Sequence, residues 1–375
     1  MKNKSGWKDF TQNMPYLVVF LVTALRIPAT APAYAGNVDN QNNYSAEWVR
    51  TLNRNAATDS ADAAAYNPAG TVRMRDGLYL NLTGQYVYKK YSHELNGTEY
   101  ESDTPSYLPG VFGVYKNGRW AAFATYTIAC GGGKVEYDAG TATTATIARW
   151  LGLGNADQFL QADSYYHTVT LGGACALNGR LSVSLGIRFV DAELQKKAFA
   201  GPYHLDYKET DHGWGAVLGL DFSPADKVNI GLRYETRTRL NLRTRVRRDD
   251  LGLLTNRSKR RRDLPAVVGL GMAYRISSRL RTETNLTYYM NESAHWDDNP
   301  LSMPADESKK SDGYDLGIAF EYAFSPGMKA SAGYMFTDTG LDPDDMCIEA
   351  PELNAHTLCG GLGLQIIPGL DINFG

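Results

Sequence analysis

The alternation of short hairpin turns with long polar loops is the feature that most constrains the fold of this chain. Asn117-Gly118, Asn178-Gly179, Pro326-Gly327 and Pro368-Gly369 are tight-turn pairs, because glycine supplies positive φ and proline presets the turn entry. The long polar stretches between the hairpins cover 92–106, 130–163, 191–206, 240–263, 291–312 and 338–354. Short turns at one end and long loops at the other are typical of an up-and-down outer-membrane β-barrel.

The segments that flank each turn alternate between apolar and small or polar residues. Successive side chains of a strand point to opposite faces, so the run 180–190 places Leu185 and Ile187 on one face and Gly186 and Arg188 on the other. A soluble β-sandwich shows the same alternation. The length of the runs, close to the roughly 9–11 residues that cross a bilayer, favours the barrel.

The strand runs number twelve, with a thirteenth that begins at Gly369. They cover 77–91, 107–116, 118–129, 164–177, 180–191, 207–222, 227–239, 264–276, 279–290, 313–324, 327–337 and 355–367. Bacterial single-chain barrels close on an even number of strands, so we expect the last strands to be missing from this chain. Whether such a chain closes as a barrel is left open by the sequence.

Composition agrees with a large antiparallel β protein, since the chain has 37 Gly, 24 Tyr and 11% aromatic residues. The 38 basic and 41 acidic side chains, with a formal net charge of -3, exclude a globally basic nucleic-acid binder. A mean hydropathy of -0.36 excludes a polytopic helical membrane protein.

The amino terminus has the pattern of a signal peptide. Lys2, Lys4 and Lys8 precede the apolar run 14–25, and the small residues of Ala33-Tyr34-Ala35 provide a cleavage site. We therefore predict a signal peptide over 1–35 and export from the cytoplasm. A membrane anchor or an amphipathic leader is the alternative.

Residues 36–76 precede the first strand and contain the most specific motif. The stretch Asp62-Ala63-Ala64-Ala65-Tyr66-Asn67-Pro68-Ala69-Gly70 predicts a short helix that ends at a proline turn. Such a compact element fits inside a barrel, where alanines pack closely and the Asn67 side chain can pair with backbone groups.

On this motif the chain resembles the long-chain fatty-acid transporters of the outer membrane, of the FadL/TodX type. The segments 264–275, 278–283 and 328–334 are similar to strands of that family. The resemblance implies an all-β, transmembrane, antiparallel 14-stranded barrel over 77–375 with a hatch over 36–76, whose motif residues are Asp62, Asn67, Pro68, Ala69 and Gly70. It further implies passive diffusion of fatty acids or aromatic hydrocarbons, from a groove among the outer loops to a sideways exit beside a kinked strand.

Two groups of residues are candidates for ligand binding. Arg188 and Arg233 face the predicted lumen, where an arginine can bind a carboxylate with two parallel hydrogen bonds; pairing with an inward acid such as Glu235 is the alternative. The loop segment 143–159 is predicted to be helical, and its apolar residues would form an outer groove. These residues are Ile147, Trp150 and Leu151.

A cluster of basic residues lies in the long loop 240–263. Since the leader and the barrel layout place this loop outside the cell, we expect lipopolysaccharide phosphates rather than nucleic acid as its partner. The candidate residues are Arg243, Arg245, Arg247, Arg260 and Arg261. A solvated loop paired with Asp249 and Asp250 is the alternative. We also expect contact with the barrel-assembly machinery and a monomeric protein.

No enzyme motif is present, since the chain has no GxSxG, HExxH or Walker sequence and no paired Cys or His spacing for a metal. We therefore predict no catalytic residues, no metal and no cofactor. A general porin for hydrophilic solutes and a non-transporting adhesin or structural barrel are the alternative functions.

Overall fold

The computed structural model describes residues 45–154, 156–297, 310–341 and 347–375. The predicted signal peptide 1–35 and residues 36–44 of the predicted hatch lie outside the described residues. No helix within the described ranges is long and apolar enough to cross a bilayer.

One antiparallel sheet of 15 strands forms most of the molecule, and a separate two-stranded hairpin lies beside it. The strands are β1 (Gly77–Val87), β2 (Tyr91–Leu95), β3 (Thr98–Ser102), β4 (Ser106–Asn117), β5 (Trp120–Tyr137), β6 (Gln158–Ala176), β7 (Leu181–Ala200), β8 (Tyr203–Ala225), β9 (Val228–Glu235), β10 (Asn241–Asp249), β11 (Lys259–Arg261), β12 (Ala266–Arg275), β13 (Leu280–Met290), β14 (Gly313–Ser325), β15 (Met328–Asp338), β16 (Ala355–Ile367) and β17 (Leu370–Phe374). The α-helices are α1 (Ala46–Val49), α2 (Ala63–Tyr66) and α3 (Ala142–Trp150), and 3-10 helices cover Pro68–Arg73 and Asn291–Ser293.

Thirteen strands follow one another in the order β1-β4-β5-β6-β7-β8-β9-β12-β13-β14-β15-β16-β17. Each overlaps one of the runs predicted from alternation, and the short turns join neighbouring strands at one end of the sheet. The predicted all-β antiparallel up-and-down architecture is therefore confirmed. Within the described residues the path contains thirteen strands, against the fourteen that the resemblance implies.

The outer ends of the strands differ from the prediction in length. The segment 191–206 was expected to be a loop, and this is wrong: β7 and β8 stay paired from Asp191↔His212 to Ala200↔Tyr203. The stretches 92–106 and 240–263 likewise contain the hairpins β2–β3 and β10–β11. These segments are rich in charged residues on both faces, so they lack the apolar alternation by which the other strands were recognised.

The two faces of the main sheet differ in chemistry. Leu185 and Ile187 are each 59% exposed on the outward face, whereas Arg188 of the same strand lies on the inward face and is buried. The same face carries further exposed apolar residues: Leu78, Leu80, Leu82, Leu171, Leu316 and Phe320. A continuous apolar band on this scale is unfavourable in water and suits a hydrocarbon surrounding.

Residues 45–74 pack against the inward face of the sheet. Two close approaches require glycine in the strands of the main sheet, which we call the wall. A Cβ at Gly231 would lie 2.1 Å from the Asn55 carbonyl oxygen, and one at Gly333 would lie 2.4 Å from the Thr51 carbonyl oxygen. The backbone of this amino-terminal segment therefore lies directly against β9 and β15.

Helix α1 contacts both edge strands of the path. A single carboxylate oxygen of Glu47, Oε1, accepts hydrogen bonds from Asn81 Nδ2 of β1 at 2.8 Å and from Asn373 Nδ2 of β17 at 3.0 Å. The amino-terminal segment thus links the first and last strands through a side chain.

Placing a charged residue on the outward face tests whether that face contacts lipid. We expect Leu185→Arg to lower the free energy of unfolding in lipid vesicles by about 2–4 kcal/mol, because arginine at the bilayer midplane is costly. The control Leu177→Arg, at an exposed residue of the β6–β7 turn, should cost about 0–1 kcal/mol, as found near the interface. Equal losses for the two variants, measured by urea titration, would contradict a lipid-facing band.

Candidate functional site

Asp62 of the predicted hatch motif is the centre of a hydrogen-bond network within the amino-terminal segment. Its carboxylate is fully buried and accepts from Arg54 Nε at 3.0 Å and from Arg54 Nη2 at 2.6 Å. The hydroxyl groups of Ser45 and Ser60 each donate to it at 2.8 Å. A buried ion pair that is completed by such hydrogen bonds is costly to break, because removing one partner leaves the other charge unpaired.

Asn67 fastens this segment to the wall. Its Nδ2 donates to the Ala57 carbonyl oxygen at 3.0 Å and to Asp221 of β8 at 2.7 Å. Asp221 is itself buried and also accepts from Arg73 Nε at 2.9 Å and from Asn229 Nδ2 at 2.6 Å. One wall carboxylate therefore joins the hatch motif, the following 3-10 helix and strand β9.

The remaining motif residues also attach the segment to the neighbouring strands. Pro68 begins the 3-10 helix, and Ser182 of β7 donates its hydroxyl to the Ala69 carbonyl oxygen at 2.8 Å. A Cβ at Gly70 would lie 2.4 Å from Asn67 Nδ2, so only glycine fits beside the asparagine. These motif residues hold the segment in place against β7 and β8.

The opposite side of the segment is held by β13 and its neighbours. Asn285 Oδ1 accepts from the Asn55 backbone N–H at 2.7 Å, and Glu283 accepts from that of Ala56 at 3.1 Å. Arg50 pairs with Glu321 and donates to Ser331. The segment therefore has polar contacts with several strands around the wall.

Two of the buried apolar clusters bear on a path through the molecule. In the first, Trp48 and Leu52 pack with Tyr66 and with Met335 of β15, beside a small cavity that also reaches Asp315. The second cluster combines strand residues with the connection between β9 and β12. Its members are Ala129, Cys130, Tyr166, Val190, Ala192, Leu240, Leu242 and Leu264.

Strand β5 separates from β4 next to the second cluster. The β4–β5 ladder ends at the pair Gly110↔Thr127, although β4 stays paired with β1 as far as Ser106. On its other side, β5 shifts register against β6 twice between Ile128 and Gly133. These bulges bend β5 and leave a gap in the backbone ladder beside residues 106–109 of β4.

The bend is encoded by three consecutive glycines, Gly131-Gly132-Gly133. Gly131 has φ +99° and Gly133 has φ +68°, a region that L side chains rarely adopt. Pro109 lies where the ladder stops and has no N–H to extend it. Beyond the gap, Ser106 Oγ accepts from the Lys134 N–H at 3.2 Å, so a side chain replaces the backbone ladder there.

The Lys89 side chain reaches into this gap, and the sequence analysis did not single it out. Its Nζ donates to the Gly132 carbonyl oxygen and lies 5.7 Å from the centre of the Tyr91 ring. Burial lowers the pKa of Lys89 to about 8, and Asp163 partly opposes that shift. Three adjacent glycines inside a strand pattern were the available signal for a bulge, but the lysine reaches them from the connection between β1 and β2.

The predicted carboxylate-binding arginines are engaged in the wall. Arg188 pairs with Glu235 and donates to Thr238 Oγ1 at 3.0 Å. Arg233 Nε lies 3.1 Å from Glu235, and its Nη1 donates to the Ala65 carbonyl oxygen. The pairing with Glu235, which was the alternative from the sequence, is the arrangement in the structure.

The predicted helix of the longest loop is present but shorter than expected. Helix α3 ends at Trp150, and Gln158 and Phe159 belong to β6, so the prediction of a helix to residue 159 is wrong. Gly152 and Gly154 adopt φ +71° and +60°, which ends the helix. Trp150 is 80% exposed, and Ile147 and Leu151 are half-buried.

Among the described residues, no group of three or more His, Cys, Asp or Glu could hold a metal ion. No protein-family model matches the chain. No curated protein matches it either.

Solved structures of low sequence identity match nearly the whole chain. A FadL homologue of Pseudomonas aeruginosa has a TM-score of 0.67 at 14% identity, with 91% of this chain and 90% of that chain covered. The toluene transporter TodX of Pseudomonas putida has 0.66 at 16%, and TbuX of Ralstonia pickettii has 0.65 at 15%, each with 90% and 92% covered. The chain has the fold of these proteins. The resemblance to the FadL/TodX type is thereby confirmed for the fold.

Removing the Asn67 amide should loosen the amino-terminal segment without unfolding the sheet. Asn67→Ala loses the bonds to Ala57 and Asp221 and leaves a buried carboxylate less satisfied, at a cost of about 1–3 kcal/mol. We expect faster hydrogen exchange in residues 45–73 and an unchanged mobility shift between unboiled and boiled samples on SDS gels. Asn117→Ala, in an exposed turn, is the control. Loss of the shift for Asn67→Ala alone would contradict the assignment of this motif to a plug.

Proposed function

We propose that the protein is an outer-membrane transporter that takes up hydrophobic compounds by passive diffusion. The fold, the apolar outward band and the plugged interior support this function. The observation that carries it is the gap between β4 and β5, because it offers a ligand a sideways exit from the barrel wall that avoids the hatch below. The chain in this proposal has no enzymatic activity.

The path begins at the outer loops. The exposed Trp150, with Ile147 and Leu151 beside it, gives an apolar ligand a first contact at the surface. The cluster around Tyr166 and Leu240 then provides an apolar lining, and Ala129 and Cys130 of that cluster belong to the bent part of β5. An apolar sleeve of this kind favours a hydrocarbon, whereas a water-filled pore gives it no advantage.

Long-chain fatty acids are the ligands that we propose, with aromatic hydrocarbons as the second class. A fatty acid needs a cation near one end of the apolar path. Lys89 is buried at the gap, and its amine is held by a neutral carbonyl group, so a ligand carboxylate can displace that contact. Arg188 and Arg233 suit this role less well, since both pair with Glu235.

The alternatives fit the geometry less well. A general porin needs an open aqueous lumen, whereas here residues 45–73 contact strands on several sides of the interior. An adhesin or structural barrel has no need of a bent strand with an opening at the level of an apolar cluster.

Straightening β5 should close the exit. Deleting Gly131 and Gly132 removes the unpaired residues between Cys130 and Gly133, so β5 can continue its ladder past Thr127. We expect uptake of labelled oleate and of toluene by whole cells to fall about tenfold or more, since the bulges of β5 form the opening. Deleting Gly252 and Leu253, at the exposed tip of β10–β11, is the control. Normal uptake by the straightened variant in the outer membrane would contradict a lateral exit.

The charge of Lys89 predicts a pH dependence for acidic ligands. With a pKa of about 8 the amine is charged below that pH and neutral above it, so it stabilises a bound carboxylate at pH 7 and not at pH 9. We expect oleate uptake to fall from pH 7 to pH 9 and toluene uptake to stay constant. In the variant Lys89→Met, oleate uptake should lose the part of its pH dependence that arises in the protein. Identical oleate profiles for the variant and the native protein would exclude Lys89 as the carboxylate contact.

A further inference from the structure

The outward face of β8 changes character along the strand. Leu220, Leu218 and Trp214 are exposed apolar residues at alternate positions. Beyond Trp214 the same face continues through Thr210 and Lys208. Trp214 is therefore the last large apolar side chain of this stripe before the surface becomes polar, as expected for an aromatic residue at a membrane interface.

Strand β10 adds a row of arginines to this polar part. It pairs with β8 in the register Arg243↔Thr210 and Arg245↔Lys208. Leu242 and Thr244 are buried, whereas Arg243 and Arg245 are exposed, so the two arginines lie on the outward face. Lys259 of β11 stands directly opposite Arg243 and is exposed as well. We call Arg243, Arg245 and Lys259 the basic face.

Four basic residues around this face are neutralised within the chain. Lys208 pairs with Glu193 at 2.5 Å and Arg247 with Asp206 at 3.8 Å. Arg260 pairs with Glu209 at 2.9 Å and Arg261 with Asp263 at 2.5 Å. In the part of the chain that the structure describes, these four side chains therefore have carboxylate partners of their own.

The basic face differs in this respect. Across the described ranges, no carboxylate forms an ion pair with Arg243, Arg245 or Lys259, and like charges directly opposite each other in a ladder are destabilising. Arg243 and Lys259 form such a pair. A bound anion would remove this repulsion, so the arrangement is complementary to an anionic partner.

The height of the basic face above Trp214 indicates which anion it meets. Thr210 and Lys208 are four and six positions along β8 from Trp214, which is about 13–20 Å along the strand at roughly 3.3 Å per residue. A strand tilt of about 35–45° reduces this to about 10–15 Å above the apolar band. This height places the basic face outside the roughly 30 Å hydrocarbon layer, where the phosphorylated sugars of lipopolysaccharide lie in an outer membrane.

We infer that Arg243, Arg245 and Lys259 bind the phosphates of lipopolysaccharide beside the barrel wall. Arginine suits this role because its planar guanidinium donates two parallel hydrogen bonds to phosphate oxygens. The inference rests on the outer-membrane location proposed above and is independent of the transported ligand. It narrows the predicted partner surface from five arginines to the two on the outward face, together with a lysine from β11.

The test uses full-length protein purified in detergent, with its folding checked by the gel shift on boiling. Binding of lipopolysaccharide is compared for the native protein, for R243Q/R245Q/K259Q, and for the control R75Q/K227Q/R275Q. The control removes the same charge from exposed residues near the turn end of the sheet. Enzymatically dephosphorylated lipopolysaccharide and inorganic phosphate are the comparison ligands.

We expect the basic-face variant to bind lipopolysaccharide about tenfold or more weakly, because it loses charge-assisted hydrogen bonds to the phosphates. The control should stay within about twofold of the native protein, and dephosphorylated lipopolysaccharide should bind all three proteins equally. Equal binding of intact lipopolysaccharide by the native protein and the basic-face variant would overturn the inference. So would inorganic phosphate that binds as tightly as the glycolipid.

Membrane fractionation and oleate uptake by the same variants separate this inference from the proposed function. Normal uptake with lost glycolipid binding supports the basic face. Recovery of the native protein outside the outer membrane contradicts the proposed function, whereas the binding result in detergent decides the basic face alone.

Discussion

The structure depends on hydrogen bonds between buried polar side chains of the main sheet and the backbone of the amino-terminal segment. Strands β8 and β13 carry buried side chains such as Asp221 and Asn285 on their inner face, and a buried polar group without a partner costs roughly 1–3 kcal/mol. Residues 45–73 contain only short helices, so many of their backbone groups need partners outside those helices. The strands and the amino-terminal segment therefore supply hydrogen-bond partners to each other, and neither is stable in this form alone.

The apolar outward face adds the second constraint. A strand whose outer side chains are leucine, isoleucine and phenylalanine places its polar residues inward, and those residues then determine what the interior can hold. Here they hold a plug through charges and amides, with Arg188 and Arg233 gathered around Glu235. Buried apolar residues gather in separate clusters, and one of these clusters includes Ala129 and Cys130 at the bend in β5.

Much of this fold was predictable because its signals are local. Alternation and turn chemistry located the thirteen strands of the main path, and the run from Asp62 to Gly70 predicted a compact segment, which packs against the inner face. What escaped prediction depends on pairing between distant residues. The long β7–β8 hairpin and the β10–β11 hairpin have charged residues on both faces, and strand pairing alone reveals them. Lys89 could not be connected with Gly132 because the two residues meet through a side-chain contact across 43 positions.

Glu47 has a consequence for the order in which the molecule is assembled. Its carboxylate contacts β1, which lies 34 positions away, and β17, which lies 326 positions away. The first contact closes a short loop and the second a very long one, so the entropic cost of the two differs. The amino-terminal segment can dock on β1 early, and it then presents an acceptor to β17, the most distant strand of the described path. It is thus a template for strands that are made later, as well as an obstruction on the inner face of the sheet.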